Sequence, residues 1–339
     1  MFFKDPSAVT GVGMANYLVT GVAGFIASRV SEMLLEEGHH VVGVDNMNQA
    51  YDVRMKEYRL DRLQNSEAFE FHHLDISEKP ILENQVFKDQ GFSAVINLAA
   101  RAGVRASLED PWVYLETNSR GTLNLLELCK REEIPKFILA STSSIYGNEV
   151  PYPTPENADS NHPLQVYAAS KKSAEVLAYA YHYLFDIDIS VLRYFTVYGP
   201  AGRPDMVMFR FNQWIREGRP LRLNGDGEQS RGFTYVDDIA RGTIAALKPL
   251  GYEILNLGGH EVITINELIE ILENKIGKKA DIHHFPQHPA DAMMNQADVG
   301  KAQKLLDWEP EIPLNEGITR MVAWYERERD WAKDIDTRG

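Results

Sequence analysis

Short β-branched runs alternating with helical stretches fill the first two hundred or so residues, and no other feature limits the fold as strongly. Residues 17–20, 41–44, 94–98, 136–141 and 189–192 each read as a buried strand. Apolar strands separated by helices need crossover connections, which predicts an α/β fold with a doubly wound parallel sheet. After Gly199-Pro200 the character changes: a helix over 206–217, a strand at 221–223 and the turn Asn224-Gly225-Asp226-Gly227 lead into shorter alternating elements. Thr264-Ile265-Asn266-Glu267 reads as a capping box opening a helix that runs to Ile276. A chain of 339 residues accommodates both parts. The expected division is 17–198 for a nucleotide-binding unit that also carries the chemistry and 199–330 for a smaller α/β substrate unit, with an interleaved boundary. Residues up to about Asn16 read as an arm with no assigned function.

Gly21-Val22-Ala23-Gly24 stands between the first strand and an amphipathic helix, 25–37, that stops at Gly38. Such a turn lets backbone N–H groups and a helix N-terminus approach a pyrophosphate, so Gly21, Gly24, Phe25 and Ile26 form the expected cradle. Glycine-rich turns are common, and the context of this one gives it meaning. The second strand ends at Asp45, where a carboxylate accepts hydrogen bonds from an adenosine ribose and repels a 2′-phosphate. NAD is therefore favoured over NADP. Ala27, in the third glycine position, tightens helix packing without blocking the pyrophosphate. Asp75-Ile76 falls where an adenine contact belongs, and it fits a plain helix cap equally well.

Tyr167-Ala168-Ala169-Ser170-Lys171 places a phenol and an ammonium one helical turn apart. A nearby cation favours phenolate, so Lys171 is expected to lower the Tyr167 pKa toward the range of a general base. Alone, such a pair is more often a solvated helix face. Upstream, Ser141-Thr142-Ser143-Ser144 ends a strand, where hydroxyls at the carboxyl edge of a sheet meet a ligand.

The net charge of −14 excludes a nucleic-acid surface and an anionic membrane as partners, so an anionic ligand must meet locally placed arginines. No apolar run reaches the ~20 residues of a membrane span, and the first residues lack the pattern of a signal peptide. A cytoplasmic location is the default expectation. The single cysteine, Cys129, reads as core packing on a helix face rather than as a metal ligand, and no metal is expected.

Together these motifs resemble the extended short-chain dehydrogenase/reductase family, with its Rossmann sheet, over a stretch from about Tyr17 to about Trp308. The resemblance implies that Thr142, Tyr167 and Lys171 act together and that Lys171 also binds the nicotinamide ribose. It further implies that Leu98-Ala99-Ala100 lines the cofactor and that Tyr194 packs near the nicotinamide. Asn118, in a helix expected over 112–130, has no clear role. Within the family, dehydratases place Asp-Glu after the threonine and UDP-glucuronate decarboxylases place Ser-Glu. Ser143 and Ser144 are poor acids, so simple epimerisation is implied.

Further segments are similar to those of UDP-glucuronate 4-epimerases: Ala102-Gly103-Val104-Arg105, Tyr51-Asp52-Val53, Arg59-Leu60-Asp61-Arg62-Leu63, and the run from Arg193 through Thr196 and Pro200 to Arg203 and Met206. Thr196 with Arg203 suits a sugar carboxylate. Arg231 falls where the family contacts the nucleotide diphosphate, and Asp291 resembles a Pro-Gly-Asp turn near the uridine ribose, with Ala290 in place of the glycine and His288 in place of Gln or Arg. The implied partner is a UDP-sugar, UDP-glucuronate or UDP-galacturonate, and helices matching 112–130 and 171–184 imply a homodimer. Rival readings are a UDP-glucose/UDP-galactose-type epimerase, a decarboxylase, and a non-enzymatic NAD-binding sensor or scaffold.

Overall fold

The computed structural model describes residues 13–79, 83–287 and 293–337. Seven parallel strands form the main sheet: β1 (Asn16–Thr20), β2 (His40–Asp45), β3 (Phe69–His73), β4 (Ala94–Asn97), β5 (Lys136–Thr142), β6 (Asp188–Tyr194) and, far along the chain, β10 (Tyr252–Leu257). Between β6 and β10 come β7 (Thr196–Tyr198), β8 (Leu221–Asn224) and β9 (Ser230–Tyr235). The spatial order is β10-β6-β5-β4-β1-β2-β3. The chain winds outward from β1 to β3 and then restarts at β4 in the other direction. That reversal opens a crevice between the carboxyl ends of β1 and β4, the usual ligand position in such sheets.

Alternate residues of each strand feed two cores. On β5, Phe137 and Leu139 meet α4 (Gly121–Arg131) and α5 (Val166–Phe185), while Ile138 and Ala140 face α1 (Phe25–Glu36) and α7 (Val236–Ala245). Cys129 is fully buried among the first set, which pushes its thiol pKa up, in keeping with a packing role. A third core joins α6 (Val207–Glu217) and α8 (Ile265–Ile276) to β9 and α10 (Leu314–Arg327). Two small sheets complete this part. β11 (Val262–Thr264) runs antiparallel to β9, β9 runs parallel to β7, and β12 (Ile282–Phe285) pairs with β8. The predicted capping box is present: Thr264 Oγ1 accepts from the Glu267 N–H at 3.1 Å and Glu267 Oε2 accepts from the Thr264 N–H at 2.7 Å.

Three elements differ from the sequence expectation. β3 and β10 add to the main sheet, so the second half of the chain returns to the first sheet's edge. The helix expected over 112–130 is interrupted. It consists of α3 (Pro111–Tyr114), a π-helical stretch at Leu115–Arg120 and then α4. The cause lies at Asn118, whose amide is turned to the main chain of Arg101 and to Ser170 while its carbonyl accepts the Thr122 hydroxyl at 2.7 Å. Among the described residues no helix is long and apolar enough to cross a membrane.

Candidate active site

Gly21 sits at the β1 end of the crevice with φ 69°, and a Cβ there would lie 2.7 Å from Ala99 Cα. Glycine meets both demands, and it lets β1 pack directly against the Leu98-Ala99-Ala100 segment. Gly24 opens α1, and its own Cβ would strike the Gly21 carbonyl at 2.7 Å. Phe25 is buried toward the third core and Ile26 lies between two cores, so both shape the cradle from below. Thr20 Oγ1 accepts from the Ala99 N–H at 3.3 Å, and this bond ties the two walls together.

Asp45 closes the far side. Its carboxylate accepts from the N–H of Ala23 at 3.2 Å and of Met47 at 2.8 Å, and it pairs with Lys56 at 3.0 Å. The glycine turn and Asp45 are thus tied into one unit, in which the N–H groups of Gly21 and Val22 donate to the Val44 carbonyl, that of Ala23 to Asp45 and that of Gly24 to the Gly21 carbonyl. Asp75 acts as a cap: it accepts from the Ser77 N–H and hydroxyl and from Asn46, bonds that hold its carboxyl below the usual range against burial. Ile76 is buried against Gly121, and its carbonyl accepts from the Asn124 side chain at 2.8 Å.

At the carboxyl edge of β5, the Thr142 side chain stands near enough to the Tyr167 phenol to favour its ionised form, while its hydroxyl donates to Ser144 Oγ at 3.3 Å. Tyr167 lies in the first turn of α5, and Lys171, one turn on, is buried and donates to the Ala140 carbonyl at 2.8 Å. Burial pushes the phenol above its ordinary pKa, while the Thr142 side chain and the Arg203 charge draw it back. This corrects the expectation that Lys171 lowers it. The ammonium is turned toward the β5 backbone and is itself pushed down to about 8 by burial, against the pull of Glu175. Glu175, one further turn along, accepts from Ser141 at 2.6 Å and from both fork nitrogens of Arg193, which anchors α5 to β5 and β6. Tyr194 shares its hydroxyl with Thr243 at 2.8 Å and packs on the α7 side of the sheet.

Arg203 is brought to the phenol, but it does not stand alone: Nε and Nη2 fork onto Asp205 at 3.1 and 2.5 Å. Ser143 Oγ accepts from Asn295 at 3.1 Å, and Ser144 donates its N–H to Thr142 Oγ1 at 3.2 Å, so both serines are held at the mouth of the site. Thr196 pairs with Phe233 across β7 and β9, and Arg231 stands two residues before that register. Arg105 reaches across to the Asn224 side chain with Nη1 at 2.9 Å and Nη2 at 2.6 Å. Asp291 lies outside the described residues. Sequence reasoning missed Lys56, Arg59, Asp205 and Arg210. The first two look like the solvated face of a charged helix, α2 (Arg54–Leu63), yet are 5% and 2% exposed. Asp205 had a signal, an opposite charge two residues from Arg203. Arg210, whose buried guanidinium lies over the Trp214 ring and feels the charge of Asp205, had none. Among the described residues no cluster fits a metal ion.

Residues 17–258 match the model of the NAD dependent epimerase/dehydratase family. The chain is 57% identical to a UDP-glucuronate 4-epimerase of Thermodesulfobacterium geofontis, over 95% of this chain and 99% of that one. Among solved structures, a UDP-glucuronic acid 4-epimerase of Bacillus cereus in complex with UDP-glucuronic acid and NAD superposes with a TM-score of 0.84 at 37% identity, covering 92% of this chain and 99% of the other. A UDP-glucose 4-epimerase of Thermotoga maritima with UDP-glucose superposes with a TM-score of 0.85 at 32% identity, covering 93% and 99%.

Proposed function

The chain belongs to the NAD dependent epimerase/dehydratase family, and from that premise we propose that it is a UDP-glucuronate 4-epimerase, an isomerase that interconverts UDP-glucuronate and UDP-galacturonate with NAD as cofactor. The observation that carries this reading is the meeting of Thr142, Tyr167 and Arg203. A phenol whose conjugate base can take a proton stands beside the Thr142 hydroxyl and a guanidinium that suits a carboxylate.

Bound NAD supplies a hydride acceptor, and later a hydride donor, at carbon four of the sugar. Tyr167, as phenolate, takes the proton of the 4-hydroxyl and becomes the phenol that returns it when the ketone is reduced, with Thr142 holding the ring oxygen in line. Lys171, fixed on the Ala140 carbonyl, stands where the resemblance puts the nicotinamide ribose. The N-terminus of α1, opened by the close-packed Gly21 and Gly24, takes the cofactor pyrophosphate, and Asp45 takes the adenosine ribose. Arg203, with Thr196, Ser143 and Ser144, holds the sugar carboxylate. That restraint matters because a 4-keto uronic acid is a β-keto acid, which loses carbon dioxide when its carboxylate bond aligns with the carbonyl π system. Arg231 and Arg105 meet the nucleotide diphosphate. The 4-keto sugar turns over in the pocket and is reduced on its other face, so no outside oxidant is consumed.

The proposal includes a division at about residue 199, with β10 returning to the first unit, and a cytoplasmic location in keeping with the buried free thiol of Cys129. It also includes a homodimer, supported by the exposed apolar side chains Trp112 and Leu115 beside Val176, Tyr179 and Tyr183 of α5. Sedimentation at micromolar concentration checks the last point, a monomer overturning it.

The second reading, a UDP-glucose-type epimerase, draws support from the Arg203–Asp205 pair, which already meets much of the guanidinium charge. Incubating the protein with UDP-glucuronate and with UDP-glucose, and identifying the products by NMR, decides between them. UDP-galacturonate from the first is expected, and UDP-galactose alone would overturn the proposal.

A further inference from the structure

Arg59 is 2% exposed, yet it comes from a helix whose sequence is mostly charged. Among the described residues no carboxylate pairs with it. Its partners are three main-chain carbonyls and a phenol: Nη1 donates to Ala23 O at 3.1 Å and to Tyr51 OH at 2.8 Å, while Nε and Nη2 donate to Ala201 O at 3.0 and 2.8 Å and Nη2 to Gly202 O at 3.2 Å. Ala23 belongs to the glycine turn of the cofactor crevice. Ala201 and Gly202 belong to the loop that delivers Arg203. A rigid planar fork that joins carbonyls on two loops sets the distance between them, as a flexible lysine cannot.

The second loop needs such a fastening. Ala201 has φ 52°, in the left-handed region that a residue with a Cβ keeps only when its surroundings hold it there. A Cβ on Gly202 would lie 3.1 Å from Gly199 O and 3.8 Å from the Phe25 ring, so this loop rests directly on the first residue of α1. Arg203 follows immediately, and its guanidinium faces both Tyr167 and Tyr51. Arg59 therefore ties the glycine turn to the backbone that immediately precedes Arg203.

We propose that Arg59 is a positioning residue for carboxylate recognition: by holding the 199–202 loop against the glycine turn it sets where Arg203 stands relative to Tyr167. The inference rests on the reading of Arg203 given above. It concerns discrimination between a carboxylate and a hydroxymethyl group at carbon six, not the hydride chemistry.

The test is titration calorimetry on NAD-loaded protein in a Tyr167→Phe background, where the sugars bind but are not converted. UDP-glucuronate and UDP-glucose are the probes. Arg59→Met is expected to reduce the preference for UDP-glucuronate by about tenfold in the parent, but to change it by no more than about twofold when added to Arg203→Ala, because both act through one contact. Arg59→Lys, which keeps the charge but not the fork, is expected to fall on the Met side. Equal weakening of both sugars, or effects of Arg59 and Arg203 that multiply, would overturn the proposal. Failure of both Arg59 variants to fold or retain NAD would also overturn it, since Arg59 would then serve the fold. A Tyr167→Phe parent that binds the two sugars alike marks instead the failure of the acid reading itself.

Discussion

Glu175 on α5 receives both fork nitrogens of Arg193 on β6, at 3.0 and 2.8 Å, and each side chain is only 2% exposed. The pair fastens the helix carrying Tyr167 and Lys171 to the strand beside Thr142, because Ser141 also donates to Glu175. Glu175→Gln keeps the volume and strands the guanidinium without a counter-charge. Breaking a buried pair from one side costs about 3–5 kcal/mol, so the urea midpoint should fall sharply. Replacing both partners by apolar residues should recover part of that loss. A single variant costing under ~1 kcal/mol would show that water reaches the pair.

Lys171 gives a pH signature. Burial pushes its ammonium down from 10.5 to about 8, so between those values the unfolded chain still holds the proton that the folded chain has released. Stability from this group therefore rises with pH across that window. Above about 10 Tyr167 works in the opposite sense, since its pKa is raised in the fold and the unfolded chain loses its proton first. Urea unfolding of cofactor-free protein from pH 8 to 10 should show the rise in the parent and lose it in Lys171→Met. Parallel curves would place the ammonium in water.

Removing the base should stop the reaction without emptying the site. Tyr167→Phe is expected to abolish epimerisation while NAD and UDP-sugar still bind. Thr142→Ala is the milder change, and its sign follows from the structure: the Thr142 side chain lowers the phenol pKa, so losing it moves the rising limb of kcat/KM to higher pH. Near-parental turnover in Tyr167→Phe would exclude it as the base.

The doubly wound sheet was legible because buried strands such as 136–141 are apolar runs that admit few other readings. β3, Phe-Glu-Phe-His-His, was not, since an edge strand has no need of a continuous apolar run. The interruption of the helix at Asn118 was hidden for another reason. It depends on bonds to Arg101 and Ser170, neither of them a neighbour in sequence. The glycine turn and the Tyr167–Lys171 pair were readable because local spacing creates them. Lys56 and Arg59 acquire their meaning only when α2 packs against Asp45 and the 201–202 backbone, and there a charged helix face becomes an interior one.

Lys56 bears on cofactor choice. Asp45 holds it at 3.0 Å, so the ribose side of the crevice carries a carboxylate and an ammonium together. Asp45→Ala removes the acceptor for the ribose and releases a cation beside the 2′ position. NAD should weaken strongly and NADP much less, narrowing their ratio by about tenfold, as hydrogen bonds to charged groups are worth roughly 1.5–3 kcal/mol. Fluorescence titration of both cofactors measures this, and equal losses would remove Asp45 from the ribose site.

The proposed role of Arg203 is the choice of substrate, and its pairing with Asp205 sharpens what its removal should do. A charged hydrogen bond is worth roughly 1.5–3 kcal/mol, so Arg203→Ala should lower kcat/KM for UDP-glucuronate about ten- to a hundredfold. UDP-glucose has no charge to lose and should be little affected. Asp205 complicates the single variant, because without its partner its carboxylate faces the sugar acid and adds repulsion. Arg203→Ala with Asp205→Ala separates the two effects: the double variant should regain part of the loss for UDP-glucuronate while staying weaker than the parent. A released carboxylate also rotates until its bond aligns with the 4-keto group, breaks from carbon five as carbon dioxide, and leaves an electron pair there that takes up a proton. Mass spectrometry should then find a UDP-4-keto-pentose that the parent does not form. Equal losses for both sugars, with no pentose, would mean that Arg203 supports its loop, and the chain would be better described as a general UDP-hexose epimerase.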